Sequence, residues 1–160
     1  MNNIMHYIKV IGFVFLVLVL STGVSFSQSV PFSKDAFMLD KEGLKDAKSN
    51  IKEGDFQTDL GNYNKALEHY LKANDFNPEN AELNYKIGTS YLFTALRYKS
   101  LDYFLKSFQL NRDVSSDIHL MMGRAFHLNA DYTSAINEYK AHLSVISSAD
   151  LTENGEYIKK

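Results

Sequence analysis

The chain is 160 residues long, carries a formal net charge of −2, and is 45% hydrophobic and 13% aromatic with no cysteine. The lack of cysteine excludes disulfides, thiolate metal sites and a lipid-modified N-terminal cysteine. The slightly acidic balance, without a run of Lys and Arg, offers no stripe for a phosphate backbone, so nucleic acid is not an expected partner.

Residues 1–27 read as a secretory signal peptide. Met1–Lys9 carries one fixed positive charge, Val10–Leu20 is an almost unbroken apolar run, and the small-residue triplet Ser25-Phe26-Ser27 follows. That order of basic, greasy and small-residue parts is what a signal peptidase recognises, and cleavage after Ser27 is the expectation. A retained signal anchor is the alternative, although the run is short beside the roughly 20 apolar residues of a typical span. Removing the leader takes Lys9 with it and brings the charge from −2 to −3. The rest fits one domain.

Residues 28–40 form a flexible lead-in, mixed in character and interrupted by Pro31, which blocks an early helix. A first helix starts after Asp40, whose carboxylate can cap the free amides of the first turn, and runs to about Leu60. Leu44, Ala47 and Ile51 recur along it at helical spacing. Gly61-Asn62 breaks the chain, and Tyr63–Asn74 forms a second helix with Ala66, Leu67, Tyr70 and Ala73 on one face. Pro78 ends this hairpin, because proline cannot continue a helix and biases Asn77 away from helical geometry. Two further hairpins follow, Ala81–Ala95 with Lys99–Asn111 and Ser116–Asn129 with Tyr132–Ile146. Residues 149–160 begin a capping or following helix on which Leu151, Tyr157 and Ile158 share a face.

The hairpins repeat one another. Gly54, Gly88 and Gly123 lie 34 and then 35 residues apart, and so do Ala66, Ser100 and Ala135, and Tyr70, Phe104 and Tyr139. A period of this size marks a solenoid whose units each bury a face against the next. On this reading the glycines face Ala66, Ser100 and Ala135 where the paired helices approach most closely, and the aromatics fill the space between hairpins.

The pattern resembles the tetratricopeptide repeat, with Gly54, Ala66, Tyr70, Ala73 and Pro78 in the first unit, Gly88, Tyr91, Ser100, Phe104 and Ser107 in the second, and Gly123, Phe126, Ala135 and Tyr139 in the third. It departs from that family at Gln57 and His142, and in lacking a turn proline after the second and third units. The resemblance implies an all-α, right-handed superhelical stack of about three hairpins over 41–148, in units of about 47–80, 81–115 and 116–149. A narrower resemblance is to the N-terminal repeat region of Bacteroidetes envelope proteins that end in a peptidoglycan-binding domain of the outer-membrane-protein-A type. It implies a chain that continues beyond Lys160.

Chemistry of its own is not expected. Of the five histidines, His6 leaves with the leader, and His69, His119, His127 and His142 show no i, i+4 pairing of the kind a zinc hydrolase needs. Neither a Gly-rich phosphate loop nor a G-x-S-x-G elbow occurs. No cofactor is expected.

The family resemblance implies instead a partner groove lined by the first helix of each unit: Lys48, Ile51 and Asp55, then Tyr85, Thr89 and Leu92, then Leu120, Arg124 and His127. An extended peptide or a helix would lie there. The expectation is a periplasmic, outer-membrane-associated scaffold for a protein or peptide partner, touching membrane only through partners or further domains. The alternative is a free-standing periplasmic adaptor or chaperone for exported polypeptides.

Overall fold

The computed structural model describes the backbone of residues 28–153 and the side chains of residues 28–146; the leader expected over 1–27 lies outside the described residues. Within them the fold is all-helical: α1 (Lys41–Asp59), α2 (Tyr63–Phe76), α3 (Ala81–Leu92), α4 (Ser100–Leu110), α5 (Ile118–Leu128) and α6 (Tyr132–Glu153), with a short 3₁₀ turn at Arg97–Lys99. The helices pair as α1/α2, α3/α4 and α5/α6, and each hairpin packs mainly on its neighbour in sequence. That is the nearest-neighbour arrangement of a solenoid.

Local chemistry sets the boundaries. Asp40 caps α1 by accepting from the Gly43 amide at 2.8 Å, and Asn80 caps α3 by accepting from Leu83 at 2.8 Å. The joint between the first two hairpins is pinned further by the buried Asn84, which donates to the Pro78 and Asn80 carbonyls at 2.8 and 2.7 Å. Ser107 on α4 donates to the Ala81 carbonyl at 2.8 Å. Such buried groups hold the units in register because leaving one unmade costs about 1–3 kcal/mol.

One core cluster joins Leu67 and Tyr70 of α2 to Leu83, Ile87 and Tyr91 of α3. A second joins Phe104 of α4 to Ile118, Met122 and Ala125 of α5. Both therefore lie across the seam between hairpins as well as within them.

The nearest side chain to each repeat glycine is the aromatic of its own repeat. A Cβ on Gly54 would lie 2.4 Å from the Tyr70 ring, one on Gly88 2.9 Å from the Phe104 ring, and one on Gly123 2.5 Å from the Tyr139 ring. The aromatics thus lie against the glycines of their own hairpin, and Ala66, Ser100 and Ala135, four residues earlier on the same helices, are buried as well. A flat ring needs a helix surface with no side chain, and only glycine supplies one.

Three boundaries also differ. The lead-in, expected to be flexible, is docked. The Val30 amide donates to the Glu79 carbonyl at 2.7 Å, and the Val30 carbonyl accepts from Asn77 and Asn80 at 2.9 and 2.8 Å. Phe37 and Phe76 bring their rings to 4.7 Å. In the second hairpin, α3 stops at Leu92 and a 3₁₀ turn precedes α4, so the connection is longer than in its neighbours. Finally, α6 continues unbroken to Glu153 instead of ending at Ile146 before a new helix. The segment Ser147-Ser148-Ala149-Asp150 contains no glycine or proline to stop it.

The hairpin turns give two stability tests. Gly61 (φ 74°) and Ala130 (φ 61°) hold equivalent left-handed positions in the first and third hairpins. Ala130→Gly should raise stability by about 0.5–1 kcal/mol, the left-handed cost of alanine exceeding the added chain entropy of glycine. Gly54→Ala should lower it by about 1–2 kcal/mol, since overpacking against the buried Tyr70 outweighs the gain in helix propensity. Gly123→Ala should lose less, because Tyr139 is only half-buried and can give way. Thermal melts of the three variants check the order.

Candidate functional site

The repeat period brings eight of the nine groove residues into register on the first helices. Ile51, Tyr85 and Leu120 are equivalent, as are Asp55, Thr89 and Arg124, and Leu92 and His127 share a third level. Their environments nevertheless diverge along the stack.

At the seam between the first two hairpins, Asp55 accepts from the Tyr70 hydroxyl at 2.7 Å. It also pairs with Lys86 on α3, whose Nζ lies 2.8 and 3.0 Å from its two oxygens. One carboxylate thus ties both helices of one hairpin to the next. Ile51 packs on the first core cluster together with Phe32 of the lead-in. The two share a cavity of about 230 Å³ with Pro31, Leu83 and Lys86. The chain's own lead-in therefore occupies this stretch of the groove.

At the next seam, Tyr85 on α3 donates to Asp117 Oδ1 at 2.6 Å and sets its ring edge-on to Phe104 at 5.8 Å. Asp117 stands at the N-cap of α5 but makes no capping bond to its own helix. Its carboxylate serves Tyr85 and the Ser115 hydroxyl instead. Tyr85 is thereby bound into the joint between hairpins. Thr89 and Leu120 are half-buried beside it in sequence register.

The last three residues do come together at an open site. Leu92, Arg124 and His127 line one cavity of about 330 Å³ with Phe93, Leu128 and Tyr139. Arg124 and His127 are exposed, and the His127 ring meets Tyr132 edge-on at 5.5 Å. Phe93 stacks on Tyr63 at 4.4 Å, which extends this aromatic surface toward the first hairpin. Sequence reasoning missed Phe93, Leu128 and Tyr139. The first two follow Leu92 and His127 directly, so the ends of the first helices were the place to look. Tyr139 was assigned to packing, yet it has no following hairpin over it among the described residues.

Lys48 stands apart from the other eight. It lines a cavity of about 370 Å³ at the start of α1 with Lys34, Lys41, Leu44 and Lys45. Among the described residues no three His, Asp or Glu side chains gather as metal ligands, and no helix is long and apolar enough to cross a membrane.

What the open cavity can do is hold an apolar side chain while Arg124 pairs with an acidic group beside it. Aromatic and arginine anchors of this kind dominate binding energy at interfaces.

Residues 54–92, from the glycine of α1 to the end of α3, match the family model described as TPR repeat. No curated protein matches the chain. The match supports the tetratricopeptide resemblance over the stretch that carries Asp55, Tyr85, Thr89 and Leu92, and the hairpins beyond it repeat the same glycine-on-ring contact. Solenoids of such repeats bind protein partners on extended concave surfaces.

The seams make the stack sensitive to alkali. Burial, reinforced by Asp55, pushes the Tyr70 phenol well above its ordinary value of 10.0. Burial and then Asp117 raise Tyr85, and burial followed by the nearby Tyr91 and Asp75 raises Tyr103. The folded chain keeps these protons at pH values where the unfolded chain has released them. The contribution is therefore fully present below about pH 10 and is lost as pH climbs from there through the folded values, by about 1.4 kcal/mol per pH unit for each proton held. Melting temperature should fall above that pH, and the fall should be shallower in a Tyr70→Phe, Tyr85→Phe double variant. Parallel curves for the two proteins would count against the seam tyrosines.

Proposed function

We propose that the stack is a non-catalytic scaffold that holds a protein or peptide partner in the cell envelope of a bacterium. On this reading it is the N-terminal module of a longer protein associated with the outer membrane and peptidoglycan. The observation that carries the binding part is the open cavity at Leu92, Arg124 and His127, flanked by exposed Phe93, Leu128 and Tyr132. An apolar floor beside an exposed guanidinium suits a peptide with an aliphatic or aromatic side chain next to an acidic one. The envelope part rests on the leader-like order of residues 1–27 and on the repeat resemblance.

The binding part is tested with a displayed peptide library selected on the full chain. Leu92→Ser with Arg124→Ala should weaken the selected peptides at least tenfold, a loss of about 1.4 kcal/mol or more, and leave the helical circular dichroism signal unchanged. Tyr85→Phe should leave the peptides bound while lowering stability. Equal binding by the Leu92/Arg124 variant would move the site elsewhere on the stack. For the envelope part, an antibody to the repeats should find the protein in the outer-membrane fraction, in a band well above the 18.2 kDa of this chain. A cytosolic band would end that reading.

A further inference from the structure

The start of the first hairpin carries a charge arrangement that the fold does not use and of which only Lys48 was expected in the groove. Lys41, Lys45 and Lys48 follow one another at i, i+4 and i+7, within an arc of about 60° on α1. Lys34, from the turn before the helix, joins them around the cavity of about 370 Å³ whose apolar floor is the buried Leu44. Neighbouring lysines at these spacings repel, and cations in the first turn oppose the helix dipole. Asp40 at the N-cap and Glu42 in the first turn offset the dipole, but none of the four lysines makes an ion pair in the described structure. The acidic residues nearby do not pair with them. Asp40 spends its carboxylate on the Gly43 amide, Glu42 lies about 60° around the helix from Lys45 without pairing with it, Asp46 lies about 100° from Lys45, and Asp35 does not line the cavity. Lys52, next along the stripe, lies instead in a cavity with Glu53, Asp55 and Asp59.

Directly before Asp40, Met38 is 65% exposed and Leu39 is 102% exposed. An isolated exposed leucine means little. A protruding apolar pair beside four unpaired lysines is the makeup of a peripheral membrane anchor, in which apolar tips enter the headgroup boundary and lysines meet anionic lipid. An acidic protein surface would satisfy the lysines but leave Met38 and Leu39 in water.

We propose that this end of the molecule docks on an anionic phospholipid surface, with Met38 and Leu39 inserted at the headgroup boundary and Lys34, Lys41, Lys45 and Lys48 set against lipid phosphates. The proposal is independent of the peptide groove, whose cavity lies on other helices, so either can fail alone.

The chain contains no tryptophan, so Leu39→Trp in the full chain installs a single reporter at the tip. Its emission is followed on vesicles of brominated phosphatidylcholine alone and on vesicles of equal parts phosphatidylcholine and phosphatidylglycerol. The expected result is a blue shift and bromine quenching on the anionic vesicles, weakened when salt rises from about 0.1 M to 0.5 M. Lys41→Gln, Lys45→Gln and Lys48→Gln together should reduce affinity on the order of a hundredfold. The same charge change at the exposed Lys65, Lys72 and Lys140 should alter it far less. An apolar leader that tethered the chain would act on both vesicles alike, so the difference between them is what is read. Equal quenching on neutral and anionic vesicles, or no effect of the three substitutions, overturns the proposal. So does a reporter that stays in water while poly-glutamate binds the lysines, which would assign them to an acidic protein.

Discussion

Each hairpin depends on an aromatic ring lying flat against a glycine of the facing helix. A carbon added at Gly54, Gly88 or Gly123 would run into the Tyr70, Phe104 or Tyr139 ring where the ring now lies. This contact sets how closely the helices pair, and it also aims the ring's far end. Tyr70, held on Gly54, sends its hydroxyl to Asp55, and Asp55 then reaches Lys86 on the next hairpin. Phe104 has the same ring position but no hydroxyl, so the second seam needs another donor. Tyr85 supplies it from α3, and Asp117 receives it from α5. A carboxylate thus closes each seam, Asp55 with Lys86 at the first and Asp117 with Tyr85 at the second.

This has a consequence for binding that the repeat pattern conceals. Equivalent positions of a solenoid look equally available in sequence, but packing spends some of them. Asp55 is engaged by two donors at the first seam, Ile51 is covered by the docked lead-in, and Tyr85 is bound into the second seam. Arg124, the counterpart of Asp55, has no such duty and stands exposed at an apolar cavity. The groove positions left open are therefore those of the second and third hairpins.

The parts legible in the sequence were those written locally. Asp40 and Asn80 announce helix starts through their own side chains, Gly61 and Pro78 stop helices through their own backbones, and the 34- and 35-residue spacing exposes the repeat. What stayed hidden depends on distance in space. Phe37 meets Phe76 across 39 positions, and Val30 is fixed by residues nearly 50 positions away, so the lead-in reads as loose when seen alone. That the ring comes nearest to each glycine was not legible, because Ala66 and Tyr70 lie one helical turn apart on the same face, and spacing cannot rank them. The lysine face was hidden by cancellation. Residues 34–48 hold four lysines and four carboxylates, and only the rotation of the helix separates the signs.

The docked lead-in links these features into one mechanical argument. Residues 29–32 seal the first seam and fill the groove beside Ile51, while residues 34–39 turn outward and carry Met38 and Leu39 away from the core. A contact made at that tip bears on a segment clamped by hydrogen bonds from Asn77 and Asn80, and both residues belong to the pinned joint between α2 and α3. In a stack where each hairpin leans only on its neighbours, force or order introduced at one end must travel through such joints. The Asp55–Lys86 and Tyr85–Asp117 bonds lie on that route. They connect the hairpin that carries the lysine face to the hairpins that carry the open cavity at Arg124.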